Sequence, residues 1–288
     1  MQNFSSLKPI IDKIIHLSES TYYNPFTSFE WPDSIEDGQL WMSKELITMY
    51  NSEEMEELDE QKIYELSKWE SINFYSLNVH GIRELLIDML YLVHRKGYEE
   101  PSRYFHYFIG EENEHMYFFS KFCLKYGKKI YARKKVDFGT NEETDIMNFM
   151  LFIKILVFEE LVDYYNQTMA RDENLPAIIR EINRIHHQDE SRHISFNRAM
   201  VKTLFDEIRE KYPVEKIEKI RNYVKEYLYW SISEFYNPTV YRDVGLKHPI
   251  TLRKKLLSSP SSKERHKKST KKLGSFLKKN NILIDDLF

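Results

Sequence analysis

The sequence is poor in residues that cross-link, bend or anchor a chain. Its 288 residues include one cysteine, eight glycines and nine prolines. The single Cys123 excludes an internal disulfide and a cysteine-held zinc site, so any bound metal must use histidines and carboxylates. No apolar run approaches the roughly 20 residues that cross a bilayer, and the amino-terminal stretch carries lysines and acids instead of a signal-peptide core. We therefore expect no membrane association and a cytoplasmic location.

Charge is unevenly distributed along the chain. The net charge is −3, but the segment 247–279 holds twelve lysines and arginines against one acid, Glu264, so it carries +11 and the rest of the chain −14. Such a segment is usually a solvated terminus. The alternative is a docking site for an acidic partner, such as a carrier protein or a small electron-transfer protein. Nucleic acid is a less favoured partner because the segment lacks interleaved aromatic residues.

Helical periodicity dominates the chain, and strand patterns are scarce. Apolar residues recur in steps of three and four, which predicts helices over about 4–17, 59–96, 101–127, 144–171, 176–212 and 214–235, followed by an irregular basic tail. Four of these helices are long and must pack side by side. We expect an all-α protein with an N-terminal helix and loop (1–58), a helical bundle (59–236) and a basic C-terminal segment (237–288).

Two of the long helices carry metal-type residues in a repeated pattern. Glu112 and His115 form a Glu-x-x-His pair, and Glu190 and His193 form a second one. His186 lies one turn before Glu190, within the same arc of roughly 60°. Two such pairs at the centres of apolar helices are hard to explain as solvated faces, because a buried, unpaired carboxylate is expensive.

The helix between these two supplies adjacent carboxylates, Glu159 and Glu160, in an apolar surround. We favour Glu159 as a ligand, but Glu160 stays an alternative. Proteins with two irons in a four-helix, ferritin-like bundle use this plan of two Glu-x-x-His pairs and single glutamates. For the outer nitrogens of the histidines, Asp163 and Asp189 are candidate hydrogen-bond partners. Among the neighbours, Arg192 is expected to face away from the site.

The sequence resembles the p-aminobenzoate N-oxygenase type of non-haem di-iron oxygenase. The resemblance runs from about residue 41 to 198, through YFHYFIGEENEHMYFFSKFC, FEELVDYYNQTMARDENLP and IHHQDESRHISFNRAM. It implies a ferritin-like bundle that holds two Fe ions, cycling between Fe2+ and Fe3+, with O2 as co-substrate. Carried over residue by residue, it implies the metal ligands Glu112, His115, Glu159, His186, Glu190 and His193.

One position departs from the family pattern. A glutamate of the first bundle helix is expected just after the His-Gly of NVHG, and Ile82 stands there instead. The nearest carboxylate, Glu84, is about 200° round the helix from Ile82. Glu84 or His80 is therefore a candidate substitute ligand if the helix is distorted, and otherwise one metal position lacks a ligand.

The resemblance favours oxidation of a small-molecule amine by O2 with electrons from an external donor. A second hypothesis is a desaturase or hydroxylase acting on a carrier-bound acyl or aminoacyl group, with the basic tail meeting an acidic carrier. A third is a non-enzymatic iron-binding protein. A homodimer is compatible with all three.

Overall fold

The computed structural model describes residues 4–133 and 142–288, and these form an all-α fold. The helices are α1 (Lys8–Ser20), α2 (Glu53–Glu56), α3 (Glu60–Leu92), α4 (Glu99–Phe122), α5 (Thr144–Arg171), α6 (Ala177–Lys211), α7 (Val214–Ser233), α8 (Pro238–Asp243), α9 (Pro249–Ser258), α10 (Pro260–Ser269) and α11 (Lys271–Lys279). Within the described ranges, no helix is long and apolar enough to cross a membrane.

The long helices begin and end where local chemistry dictates. Asp59 caps α3, because its side chain accepts a hydrogen bond from the backbone N–H of Lys62 (2.8 Å). The turn between α3 and α4 contains Gly97 at a φ of 92°, a conformation that favours glycine. The predicted second helix ends as an α-helix at Phe122 and continues as a π-helical turn over Cys123–Gly127. Helix α5 has the predicted bounds.

Helices α3 to α6 form the central bundle, in which α3 pairs with α4 and α5 pairs with α6. Gly81 of α3 permits a close approach to α5, because an added Cβ would lie 2.7 Å from the ring of Phe158. Helix α1 packs against α4 and α6. The three-part division of the chain stays a prediction, although α1 and the tail helices both pack on the central bundle.

The expectation of an irregular basic tail is wrong. Residues 238–279 form four short helices, three of which begin with a proline in the first turn, where its missing N–H costs nothing. Leu256, Leu273 and Leu277 are buried, and so is the charged side chain of Arg265. The dense lysines concealed this apolar pattern in the sequence, because most of them lie on the solvent side of the short helices.

Candidate metal centre

Four predicted ligand residues meet between α4 and α6. Glu112, His115, Glu190 and His193 are all buried, and one ligand-type atom from each lies within 4.8 Å of the others. His193 Nδ1 is 2.9 Å from Glu112 Oε1 and 3.6 Å from Glu190 Oε1. His115 Nδ1 is 3.5 Å from Glu112 Oε2. The i, i+3 spacing on two facing helices therefore brings two carboxylates and two imidazoles to one point.

The structure places His186 beside this group. Its Nε2 atom is 2.8 Å from Glu190 Oε1, and its side chain is 2% exposed. Burial by itself would raise the pKa of Glu190, but the neighbouring His186 and His193 bring that pKa below its usual range. The two histidines and the carboxylate thus form one electrostatic unit.

Helix α5 contributes Glu159 from the third side. Its Oε2 accepts a hydrogen bond from Asn197 Nδ2 (2.8 Å), and burial together with repulsion from Glu190 raises the pKa of Glu159 well above its usual value. Glu160 instead accepts a hydrogen bond from Arg198 Nε (2.6 Å). Of the two adjacent carboxylates, Glu159 is the one that interacts electrostatically with Glu190. Glu160 is paired with Arg198, whereas Glu159 has no arginine or lysine partner among the described residues.

The atoms that face inward in this group fit a metal. Six of them are buried and make no hydrogen bond: both carboxylate oxygens of Glu112, one each of Glu159 and Glu190, and the Nδ1 atoms of His115 and His193. The close approach of His193 Nδ1 to Glu112 is therefore outside hydrogen-bond geometry. Buried polar atoms without partners are rare and costly. Imidazole and carboxylate donors suit iron, so the chemistry of these residues fits bound metal.

The outward nitrogens of the two central histidines are held by carboxylates. His115 Nε2 donates to Asp189 Oδ2 (3.0 Å), and His193 Nε2 donates to Glu111 Oε2 (2.8 Å). Arg192 Nη2 donates to both acids, at 2.6 Å to Asp189 Oδ1 and 2.6 Å to Glu111 Oε1. These bonds fix the tautomer of each histidine and direct its Nδ1 into the cluster.

This ring of hydrogen bonds corrects two predictions. Arg192 does not face away from the site: it is 6% exposed and also donates from Nη1 to Thr21 Oγ1 (3.1 Å) at the end of α1. Asp163 does not contact a predicted ligand, because its Oδ1 is 2.5 Å from Nδ1 of His187. The outward nitrogen of His186 meets Asn166 Nδ2 instead, at 2.5 Å.

Two partners in this outer ring were not predicted. Glu111 directly precedes Glu112, so an acid at that position could have been noticed as part of the motif. Asn197 follows His193 by four residues and so lies on the same helix face. An asparagine at that spacing is common on solvated faces, and nothing in the sequence marks it as buried.

Helix α3 brings an apolar side chain to the level of the cluster. The ring of Tyr75 stacks on that of Phe119 in α4, with centroids 5.1 Å apart. Because α3 and α4 run antiparallel, Ile82 lies about 10 Å along from Tyr75, near the level of Glu112 and His115. Ile82 is 1% exposed, so the bundle closes on this side with a buried isoleucine.

The two candidate substitutes on α3 lie away from the cluster. The side chain of Glu84 is 45% exposed and forms an ion pair with Arg133 Nη1 at 3.4 Å. His80 donates from Nε2 to the carbonyl oxygen of Tyr131 (2.7 Å). Helix α3 continues through this region and leaves Glu84 on its exposed side, so the six predicted ligand residues that remain all come from α4, α5 and α6.

Comparisons with known proteins agree with this architecture. The family model described as p-aminobenzoate N-oxygenase AurF matches residues 6–280. Among solved structures, the chain is similar to a tyrosine-to-phenylalanine variant of an R2-like ligand-binding oxidase with an aerobically reconstituted Mn/Fe cofactor, with a TM-score of 0.54 and 13% identity, over 92% of this chain and 95% of that chain. At that identity the similarity shows the fold alone. No functionally curated protein matches the sequence.

Proposed function

Because the chain belongs to the p-aminobenzoate N-oxygenase AurF family, we propose that it is a di-iron oxygenase that oxidises the nitrogen of an amine. Family membership makes it an oxygen-dependent oxidoreductase. The observation that carries the proposal is the group of buried, unpartnered ligand atoms between α4, α5 and α6. Bound iron would supply reversible one-electron chemistry with O2.

The proposed reaction takes an amine to a hydroxylamine. One oxygen atom of O2 forms a bond to nitrogen and the other leaves as water, which requires two electrons and two protons from outside. In this reaction Glu112, His115, Glu159, His186, Glu190 and His193 would hold the irons. The chain's own contribution is to fix these side chains through the outer hydrogen bonds and to keep the site dry.

Water is excluded by aromatic rings that pack on the histidines. The centroid of the Phe108 ring is 4.3 Å from that of His193, and the Phe119 ring is 4.8 Å from His186. Phe118 lies 5.5 Å from His115. All three phenylalanines are fully buried. A low-dielectric surround of this kind strengthens electrostatic interactions at the site and protects reactive species from water.

The test is anaerobic loading with ferrous iron, followed by a count of iron per chain and exposure to O2 with a panel of aryl and alkyl amines that includes p-aminobenzoate. We expect substrate-dependent O2 consumption and incorporation of one atom of isotopically labelled O2 at nitrogen. Glu112→Gln should lose both iron and turnover, whereas the matched Glu114→Gln on the same helix should retain them. Iron uptake with no substrate-dependent O2 consumption would instead support the iron-binding hypothesis.

A further inference from the structure

We propose that Lys263, Lys267, Lys271 and Lys272, here called the basic face, form the docking surface for a small acidic electron-transfer protein. This inference rests on the proposed function, because it names the class of partner that delivers the two electrons. The sequence contains one cysteine, and it is buried, so the chain cannot hold a cysteine-ligated iron–sulfur cluster of its own. The proposed reaction draws its two electrons from outside, and we infer that they enter through the surface.

The lysines of the basic face form no ion pair with the described residues, whereas several other cations of the tail are paired or buried. Lys255, Lys268 and Lys278 pair with Glu54, Glu264 and Asp286, and Arg265 is buried. The four lysines of the basic face are all exposed, and none forms an ion pair with a carboxylate of residues 4–133 or 142–288. Folding of the tail thus neutralises or buries several of its charges and leaves these four exposed on α10 and α11, together with Lys247, Lys254 and Lys279 elsewhere on the tail.

One lysine of the basic face, Lys272, contacts α5, the helix that carries Glu159. Lys272 Nζ is 3.4 Å from the side-chain oxygen of Gln167 on α5. The next turn of α11 places the Phe276 ring beneath the guanidinium of Arg198, at 5.4 Å, and Arg198 in turn binds Glu160. Glu160 adjoins the proposed ligand Glu159. Helix α5, which is about 10 Å across with its side chains, therefore lies between these residues of the tail and the centre.

The remaining surface favours this approach for an acidic partner. Outside 247–279 the chain carries a net charge of −14, which repels an acidic protein, and the tail attracts it. Opposed charges of this kind orient a partner before contact and raise its association rate. A cleft of about 710 Å³ adjoins the basic face at Gln167 and contains Lys44 and Arg171 beside Glu45 and Asp172. This cleft could accommodate side chains of a docked partner.

The test uses the iron-loaded full chain in its oxidised state and two reductants: a plant-type [2Fe–2S] ferredoxin as the acidic protein probe, and dithionite as a small reductant. Stopped-flow absorbance gives the reduction rate with each. In the variant that combines Lys263→Glu, Lys267→Glu, Lys271→Glu and Lys272→Glu, we expect the second-order rate with ferredoxin to fall about 10–100-fold and to lose its salt dependence. The rate with dithionite should stay unchanged.

A matched variant controls for net charge. It reverses four lysines that are exposed elsewhere on the chain: Lys13, Lys96, Lys128 and Lys219. Its ferredoxin rate should fall much less than that of the basic-face variant. Equal losses in the two variants would overturn the inference, since they would show an effect of total charge alone.

The outcomes separate this inference from the proposed function. If dithionite produces no change in the spectrum of the iron-loaded chain, the proposed di-iron function fails. If dithionite reduces the centre and O2 reoxidises it, but charge reversal leaves the ferredoxin rate unaltered, the docking inference alone fails. Binding of an acidic acyl carrier protein that is lost on charge reversal, with an unaltered ferredoxin rate, would assign the face to a carrier and also overturn the inference.

Discussion

Two buried polar clusters in this protein use similar residues and are completed in different ways. The first is the metal centre. The second, here called the tail cluster, joins α10 to α3 through Glu70, Thr48, Tyr236, Arg265 and His266. Both contain a buried carboxylate, a histidine and a nearby arginine. They differ in whether their polar atoms find partners inside the protein.

In the tail cluster the charged groups are satisfied. Glu70 accepts hydrogen bonds from the backbone N–H (2.9 Å) and the hydroxyl of Thr48. Arg265 Nη2 donates to the carbonyl oxygen of Thr48 and the hydroxyl of Tyr236, both at 2.8 Å, and His266 Nε2 is 2.8 Å from the same hydroxyl. In the metal centre six ligand-type atoms lack a partner. A buried network whose polar groups are all hydrogen-bonded stabilises the fold, whereas unpartnered ligand-type atoms can bind a metal.

The largest effect should come from removing a predicted ligand of the metal centre. Glu190→Ala removes the carboxylate that lies near His186, His193 and His115, so we expect loss of bound iron and a fall in amine oxidation of at least about 100-fold. Glu70→Gln in the tail cluster should retain iron and activity. Iron per chain and O2 consumption measure both. Equal iron loss in the two variants would abolish the distinction between the clusters.

The tail cluster should instead control stability as a function of pH. Burial raises the pKa of Glu70 to about 7, and the hydrogen bonds from Thr48 counteract that rise in part. Because the folded pKa is above the unfolded one, the folded state binds the proton more tightly. Stability is then full below about pH 4.5 and declines as the pH rises through 7, by on the order of 3 kcal/mol.

Glu70→Gln should remove this decline, since its amide cannot ionise. Urea unfolding at about pH 5 and about pH 8 measures the difference. The half-buried Glu65 on the same helix, which pairs with Lys62, provides the matched control, and Glu65→Gln should leave the decline in place. A variant of Glu70 that loses as much stability as the parent between these pH values would contradict the assignment.

A smaller effect is expected from the outer ring of the metal centre. Arg192→Met leaves the ligands in place but removes the cation that links Asp189 to Glu111, so both histidines lose their orientation. We expect iron affinity or activity to fall about 10–100-fold. Arg192→Lys should restore part of the loss and shift the visible spectrum of the iron centre back toward that of the parent. Complete insensitivity of the spectrum would mean that Arg192 has a packing role only.

The smallest effect, and a gain, is expected at Ile82. Ile82→Glu supplies a carboxylate near the level of Glu112, where α3 provides none. We expect the second iron to bind about tenfold more tightly, which is on the order of 1.4 kcal/mol. Ile82→Gln, which has the same length without the charge, is the control. Iron titration measures both variants, and equal second-site affinity in the two would show that α3 does not reach the metals.

The sequence by itself determined the long helices and the ligand stripes, because both depend on local spacing. A Glu-x-x-His pair occupies one face of any α-helix, and the bounds of α5 followed from its own periodicity. For the same reason the family resemblance could be stated from short motifs, and the match over residues 6–280 confirms it.

Only the tertiary structure decided which side chains of neighbouring helices complete each cluster. Arg192 was expected to face away from the site, but it donates hydrogen bonds to Glu111 of α4 and to Thr21 at the end of α1. Arg265 looked like one more charge in a basic tail, yet Thr48 accepts its hydrogen bond from more than two hundred residues away. Glu84 turned outward because the adjacent face of α3 buries Ile82. Local spacing determines the helix face on which a residue lies. Its burial and its hydrogen-bond partners depend on which other helices pack against that face.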